Sequence, residues 1–139
     1  MTPRPRPSGA LHPGQWLAHA RSDLTLAKLG LERAVLPEQL CFHAQQAVEK
    51  AFKAILLHRQ VDFPFTHDLS ELLDTMAAAG IDVPPAFAEA DALTPYAVET
   101  RYPGFWGEVS EREVAEALRL AEAVVRWAEE AVGSQPRTG

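Results

Sequence analysis

A chain of 139 residues, 47% hydrophobic and 23% charged, has the make-up of one globular domain, large enough to bury a core without staples. Its single cysteine, Cys41, excludes an internal disulfide and fits a reducing cytoplasm; with no run of 18 apolar residues and no apolar signal core, neither a membrane span nor secretion is expected. The net charge of −6 excludes a basic sheath for sequence-blind nucleic-acid binding. The charge is uneven, however: residues 1–67 carry eight Lys/Arg against five Asp/Glu, and residues 68–139 five against fourteen. Any anion site is therefore a local pocket drawing on the first half and on Arg101.

Residues 1–14 hold four prolines, two glycines and two arginines and read as a disordered N-terminal tail. A helical domain is expected over 15–132, with a disordered tail over 133–139. Across 15–34, Leu17, Ala20, Leu24, Ala27, Leu31 and Ala34 recur at three and four. That spacing predicts a helix with one sharp seam, with Arg21, Asp23, Lys28, Glu32 and Arg33 outside it. Pro37 separates it from the next helix, and so short a connection makes the two antiparallel neighbours.

The second helix, expected over 38–59, is the stretch around which the chain is organised. At about 100° per residue, Leu40, Ala44, Ala47, Val48, Ala51, Phe52, Ala54 and Ile55 gather on one broad side. His43, Gln46, Glu49, Lys50 and Lys53 gather on the other as a polar stripe. The small alanines let a neighbouring helix approach closely. Phe42 lies inside the polar stripe, which points to a covered face, and a second copy of the chain is the expected cover.

Pro64 breaks the following loop, and Thr66 is the expected N-cap of a third helix reaching residue 79, with Asp68 in its first turn. Gly80 is its expected stop. A short helix follows over 85–93, broken or kinked by Thr94-Pro95. Arg101-Tyr102-Pro103-Gly104 reads as a turn leading into Phe105 and Trp106. Ser110-Glu111-Arg112-Glu113 is a capping box opening the last helix, which runs to about residue 132 with a wide apolar arc. The fold expected is all-α: an antiparallel four-helix up-and-down bundle with one additional short helix.

For chemistry, Cys41 and His43 are about 200° apart on their helix and cannot share an ion, and no two histidines stand three or four residues apart. No metal site and no cofactor are expected. Cys41 falls near the apolar side, where a thiol is an inert small hydrophobe. The scattered glycines form no phosphate loop. Lys50 and Gln46, one turn apart with His43 beside them, could hold a phosphate or base edge as charge, amide and donor. Lys50 has no acid at i−4, which leaves its charge available, whereas Lys53 has Glu49 as an i,i+4 partner. Arg101 and Tyr102 sit in an irregular turn, suited to reading a phosphate and stacking on a base.

The run FHAQQAVEKAFKAIL, then THDLSELL, then YAVETRYPG, resembles the HEPN (higher eukaryotes and prokaryotes nucleotide-binding) family of small helical proteins, over about residues 16–127. The resemblance implies nucleotide or RNA binding and a small nucleotidyltransferase as partner in a toxin–antitoxin-like pair; Phe42 and the wide apolar arc of the last helix point to a homodimer paired through the second and last helices. HEPN ribonucleases carry an arginine followed, after four to six residues, by a histidine, and cleave RNA without metal. Here Arg101 has no histidine after it, and Arg59 and His67 are separated by seven residues and Pro64. No catalytic residue is therefore assigned. The expectation is a cytoplasmic HEPN-type binding module; the alternatives are a divergent metal-independent ribonuclease toxin using Arg101, His67 or His43, and a structural dimer that docks a partner protein.

Overall fold

A computed structural model describes residues 12–97 and 109–133. The expected tails lie outside the described residues except at their inner ends. Among the described residues the chain forms four α-helices and one 3-10 segment: α1 (Pro13–Leu31), α2 (Pro37–His58), α3 (Leu69–Ala78), the 3-10 segment (Pro85–Ala97) and α4 (Glu111–Gly133). The all-α class is as the spacing predicts.

Local chemistry accounts for the ends. Pro13 and Pro37 stand at the first turns of α1 and α2, where a missing N–H costs nothing. The Gln15 side chain turns back to accept from the His12 N–H at 2.8 Å. The N-cap of α3 is Asp68, not Thr66: its carboxylate accepts from the Ser70 N–H at 2.9 Å, while Thr66 Oγ1 accepts from the Asp68 N–H at 2.9 Å. Two cap-forming side chains thus act in series, and the later one opens the helix. Gly80 ends α3 with φ 77°, a left-handed conformation that glycine adopts without strain. The box at Ser110 forms in both directions, with Glu113 N–H to Ser110 Oγ at 3.1 Å and Ser110 N–H to Glu113 Oε1 at 3.2 Å.

The expected break at Thr94-Pro95 is absent. A 3-10 segment runs through Pro95 to Ala97, burying Phe87, Ala90, Leu93, Tyr96 and Ala97. Proline removes only its own N–H there, and its fixed φ near −65° lies within the 3-10 range. Thr94 also turns outward from the segment's own backbone, its Oγ1 accepting from the Leu69 N–H at 3.0 Å.

α2 is the central element and touches every other one. Ala44, Ala47, Ala51 and Ala54 are fully buried, as are Val48, Phe52 and Leu56. α1 runs antiparallel to α2, with Gly30 against Leu40 at one end and Trp16 against Lys53 at the other. It also runs antiparallel to α4, tied by Arg21–Glu129 (2.6 Å) and Lys28–Glu122 (2.8 Å). Those exposed pairs contribute little, on the order of 0–1 kcal/mol each. The wide apolar arc of α4 is largely consumed inside the chain: Val114, Ala117, Leu118, Ala121, Val124, Val125 and Ala128 are buried. Trp127 meets Phe52 and Phe87 edge-on, with centroids 6.4 and 5.3 Å apart. No helix among the described residues is long and apolar enough to cross a membrane.

Candidate functional site

The polar side of α2 is partly covered by the chain itself, from α1 and from the loop before α3. Asp23 of α1 reaches across to it and is only 8% exposed. Its Oδ1 lies 3.0 Å from His43 Nδ1 and its Oδ2 accepts from Lys50 Nζ at 2.6 Å. His43 and Lys50 are seven residues apart, two turns on one side of α2, so a single carboxylate ties both. Two expectations fail here. Asp23 is not outside the α1 seam, and Lys50 is not uncommitted, because its acid comes from another helix. Asp23 stands three residues after Ala20 and four before Ala27, which is seam spacing; reading the seam by apolarity alone discards a charged residue that occupies it.

Beside this cluster lies a second, deeper one. Glu49, 3% exposed, accepts from Lys53 Nζ at 2.9 Å and from Gln45 Nε2 at 3.1 Å, and meets His67 Nδ1 at 2.8 Å. Gln45 also donates to the His67 carbonyl at 3.1 Å, and Gln46 donates to Gln45 Oε1 at 2.7 Å. The Lys53 ammonium lies over the rings of Trp16 and Phe63, 5.7 and 6.0 Å from their centroids. Glu49–Lys53 is the expected i,i+4 pair, but it is buried instead of solvated. Among the described residues every buried side-chain nitrogen and oxygen has a hydrogen-bond partner.

Both histidines therefore set Nδ1 on a buried carboxylate. An ionised carboxylate only accepts, so Nδ1 carries the proton and Nε2 is left as the outward atom, with no hydrogen bond among the described residues. The His43 side chain is half-buried and that of His67 is 58% exposed. The half-buried Phe42 ring meets His43 edge-on at 5.3 Å, and half-buried Gln46 follows one turn along α2. The face thus offers an ammonium, two oriented imidazoles, an amide and an aromatic ring. That set can hold a phosphate and stack against a base.

Of the residues singled out from the sequence, the structure ties His43 and Lys50 to one carboxylate, whereas Gln46 joins the Glu49 cluster through Gln45. Arg101 and Tyr102 lie outside the described residues. Asp23, Gln45 and Glu49 escape the sequence reading as parts of these two clusters, because their partners come from other elements or from a side chain's direction.

Cys41 is fully buried beside Tyr96, and burial pushes its thiol up to about 11. Burial likewise raises the Tyr96 hydroxyl, which donates to Glu113 Oε2 at 3.1 Å. A thiol so disposed is no nucleophile at neutral pH. A cavity of about 360 Å3, largely apolar, lies at the other end of α1, lined by Gly30, Arg33, Val35, Pro37, Leu40 and Val114. It shares no residue with the polar face.

Fold and face together define a small helical-bundle protein with a charged, histidine-bearing side on its central helix. A family model of the HEPN domain matches residues 14–131. The chain is similar to TT1696 from Thermus thermophilus, at 33% identity and a TM-score of 0.72, over 86% of this chain and 97% of that one. It is similar also to ST0689, described as an archaeal HEPN homologue, at 25% identity and a TM-score of 0.69, over 88% and 98% of the two chains. No curated protein sequence matches. The chain belongs to the HEPN domain family.

Proposed function

We propose that this protein is a binding module that holds a nucleotide or an RNA phosphate on the α2 face. Lys50 serves as a donor, as does the Nε2 atom of His43 when both ring nitrogens carry a proton; the Gln46 amide adds to them, and Arg101 and Tyr102 complete the set. The observation that carries this reading is the single buried carboxylate of Asp23, which fixes His43 and Lys50 side by side. A fixed pair of donors loses less conformational entropy on meeting a phosphate than two free side chains would. As the family suggests, the module acts in the cytoplasm as a homodimer beside a small nucleotidyltransferase partner. Half-exposed Phe42 supports a covered face.

Titration with labelled nucleotide and short RNA tests this reading. Binding is expected, falling steeply with salt as counterions are released. Lys50→Ala and Arg101→Ala should each remove a charge-assisted contact of about 1.5–3 kcal/mol, a ten- to hundredfold loss. RNA should be retained uncleaved. Absence of binding at low salt would leave a structural dimer that docks a protein.

The two carboxylate-held histidines favour one second reading, a divergent metal-independent ribonuclease, because an imidazole oriented this way can move a proton. Chelator-resistant cleavage abolished by Arg101→Ala or His43→Gln would establish it. A mass of about 15.3 kDa by light scattering at micromolar concentration would refute the homodimer.

A further inference from the structure

We propose that the loop between α2 and α3 is a stacking platform for single-stranded nucleic acid, in which the Phe65 ring takes one unpaired base of a strand whose phosphate is held on the α2 face. The proposal rests on the phosphate-binding reading above and adds to it the form of the ligand and a residue that grips it.

Of the phenylalanine, tyrosine and tryptophan rings among the described residues, Phe65 alone is exposed, and it is wholly so. A phenyl ring left in water forgoes the stabilisation that burial gives. The backbone that presents it is tied on both sides. Before it, Gln60 follows α2 with φ 58°, and the Val61 N–H donates to the Leu56 carbonyl at 2.9 Å. Phe63 turns inward against the core, its centroid 6.0 Å from the Lys53 ammonium, and Pro64 brings a fixed φ immediately before Phe65. After it, Thr66 Oγ1 accepts from the Asp68 N–H at 2.9 Å and the His67 carbonyl accepts from Gln45 Nε2 at 3.1 Å. The His67 ring is held in turn, with Nδ1 2.8 Å from Glu49. Only the Phe65 side chain projects, and a ring presented from a tied backbone loses little conformational entropy when it is covered.

The surroundings decide what covers it. The exposed aliphatic side chains, Leu26, Leu29, Leu31, Val35 and Leu36, lie along the second half of α1 and in the turn before α2, at the other end of α2 from this loop. None of them extends the ring into an apolar patch of the kind that docks a protein. The loop runs instead between exposed Arg59, at the end of α2, and exposed His67, while the acid after His67, Asp68, is turned to the α3 cap. An aromatic face beside polar and cationic groups is the arrangement that holds single strands, because every base has a π-face and every link a charge. Glu49, which holds His67, is the chain neighbour of Lys50, and the two residues of chain from His67 to Phe65 span at most about 7 Å. Phosphate donor and ring therefore fall within one short strand. In a duplex the bases stack on one another and offer the ring no face.

The test titrates the full chain with a labelled RNA dodecamer of mixed sequence at low salt. Phe65→Ala should weaken binding by roughly ten- to hundredfold, the scale of one base–aromatic stack. Phe65→Trp should bind at least as well as the wild type. Phe65→Leu is apolar without a π-face and should stay near the alanine level. All three variants should melt as the wild type does, because the exposed ring is not part of the core. The tryptophan-to-leucine ratio decides the matter should alanine disturb the loop. The same strand annealed to its complement should compete far less well than the free strand.

Wild-type binding that Phe65→Ala and Phe65→Leu leave undiminished would overturn the platform while leaving phosphate binding intact, and would assign the ring to a protein partner. A duplex that competes as well as the strand would overturn it too. No binding of the strand by the wild type would overturn both.

Discussion

Glu49→Leu is the most informative perturbation of this fold. The carboxylate is almost wholly buried and receives three donors, from Lys53, Gln45 and His67. Leucine nearly fills its volume, so little cavity cost is added. Gln45 keeps the His67 carbonyl as an acceptor, and exposed His67 can turn to water. Lys53 has no such recourse: its ammonium, enclosed by Trp16 and Phe63, loses its counter-charge. Removing one partner of a buried ion pair costs about 3–5 kcal/mol, a large share of the 5–15 kcal/mol that stabilises a typical domain. For a chain of this size that is a fall in Tm of roughly 10–20 °C. Adding Lys53→Met removes the stranded charge, and the double variant should return to within about 2 kcal/mol of wild type, since apolar replacement of a buried pair is close to neutral. Urea unfolding of the wild type, both single variants and the double variant gives the coupling energy directly. A loss under 1 kcal/mol for Glu49→Leu, or a double variant no better than that single one, would refute the claim that burial makes this pair interdependent.

Three further outcomes are expected. Asp68→Ala removes the α3 N-cap, which also accepts from the Ser70 hydroxyl at 2.9 Å, and should cost about 1 kcal/mol in chemical denaturation. Gly30→Ala should destabilise by about 1 kcal/mol despite alanine's helix preference, because its Cβ would collide with Leu40 Cδ2; a gain in Tm would show that Leu40 swings aside freely. The Cys41 thiol ordinarily titrates at 9.0 and is raised to about 11 in the fold, so the unfolded chain loses its proton first and stability falls as pH rises from 9 towards 11. That slope is worth on the order of 2 kcal/mol. Tyr96, raised for the same reason, adds to it. Cys41→Ala should flatten the alkaline decline in Tm, and iodoacetamide should label the wild-type thiol only as the protein unfolds.

Much of this protein was settled by the sequence alone. Helix identity and number follow from apolar spacing, from prolines at first turns, from Gly80 and from the Ser110 box, all of which act within a few residues of chain. The close approach of α1 and α2 is likewise written in Ala44, Ala47, Ala51 and Ala54, since small side chains set the distance at which backbones can pack. The family is carried by short runs on α2, at the start of α3 and before α4.

The state of the charges was decided by tertiary structure. A helical wheel sorts residues around one axis and cannot show whether a neighbour covers the polar sector; here α1 and the loop before α3 do, and Glu49 and Lys53 become interior. Nor can spacing along α2 show that Lys50 is answered from 27 residues away by Asp23, or that His67 returns to Glu49 across 18. The strength of an electrostatic contact depends on which charges meet and on how much water remains between them. Both are fixed only when the helices pack.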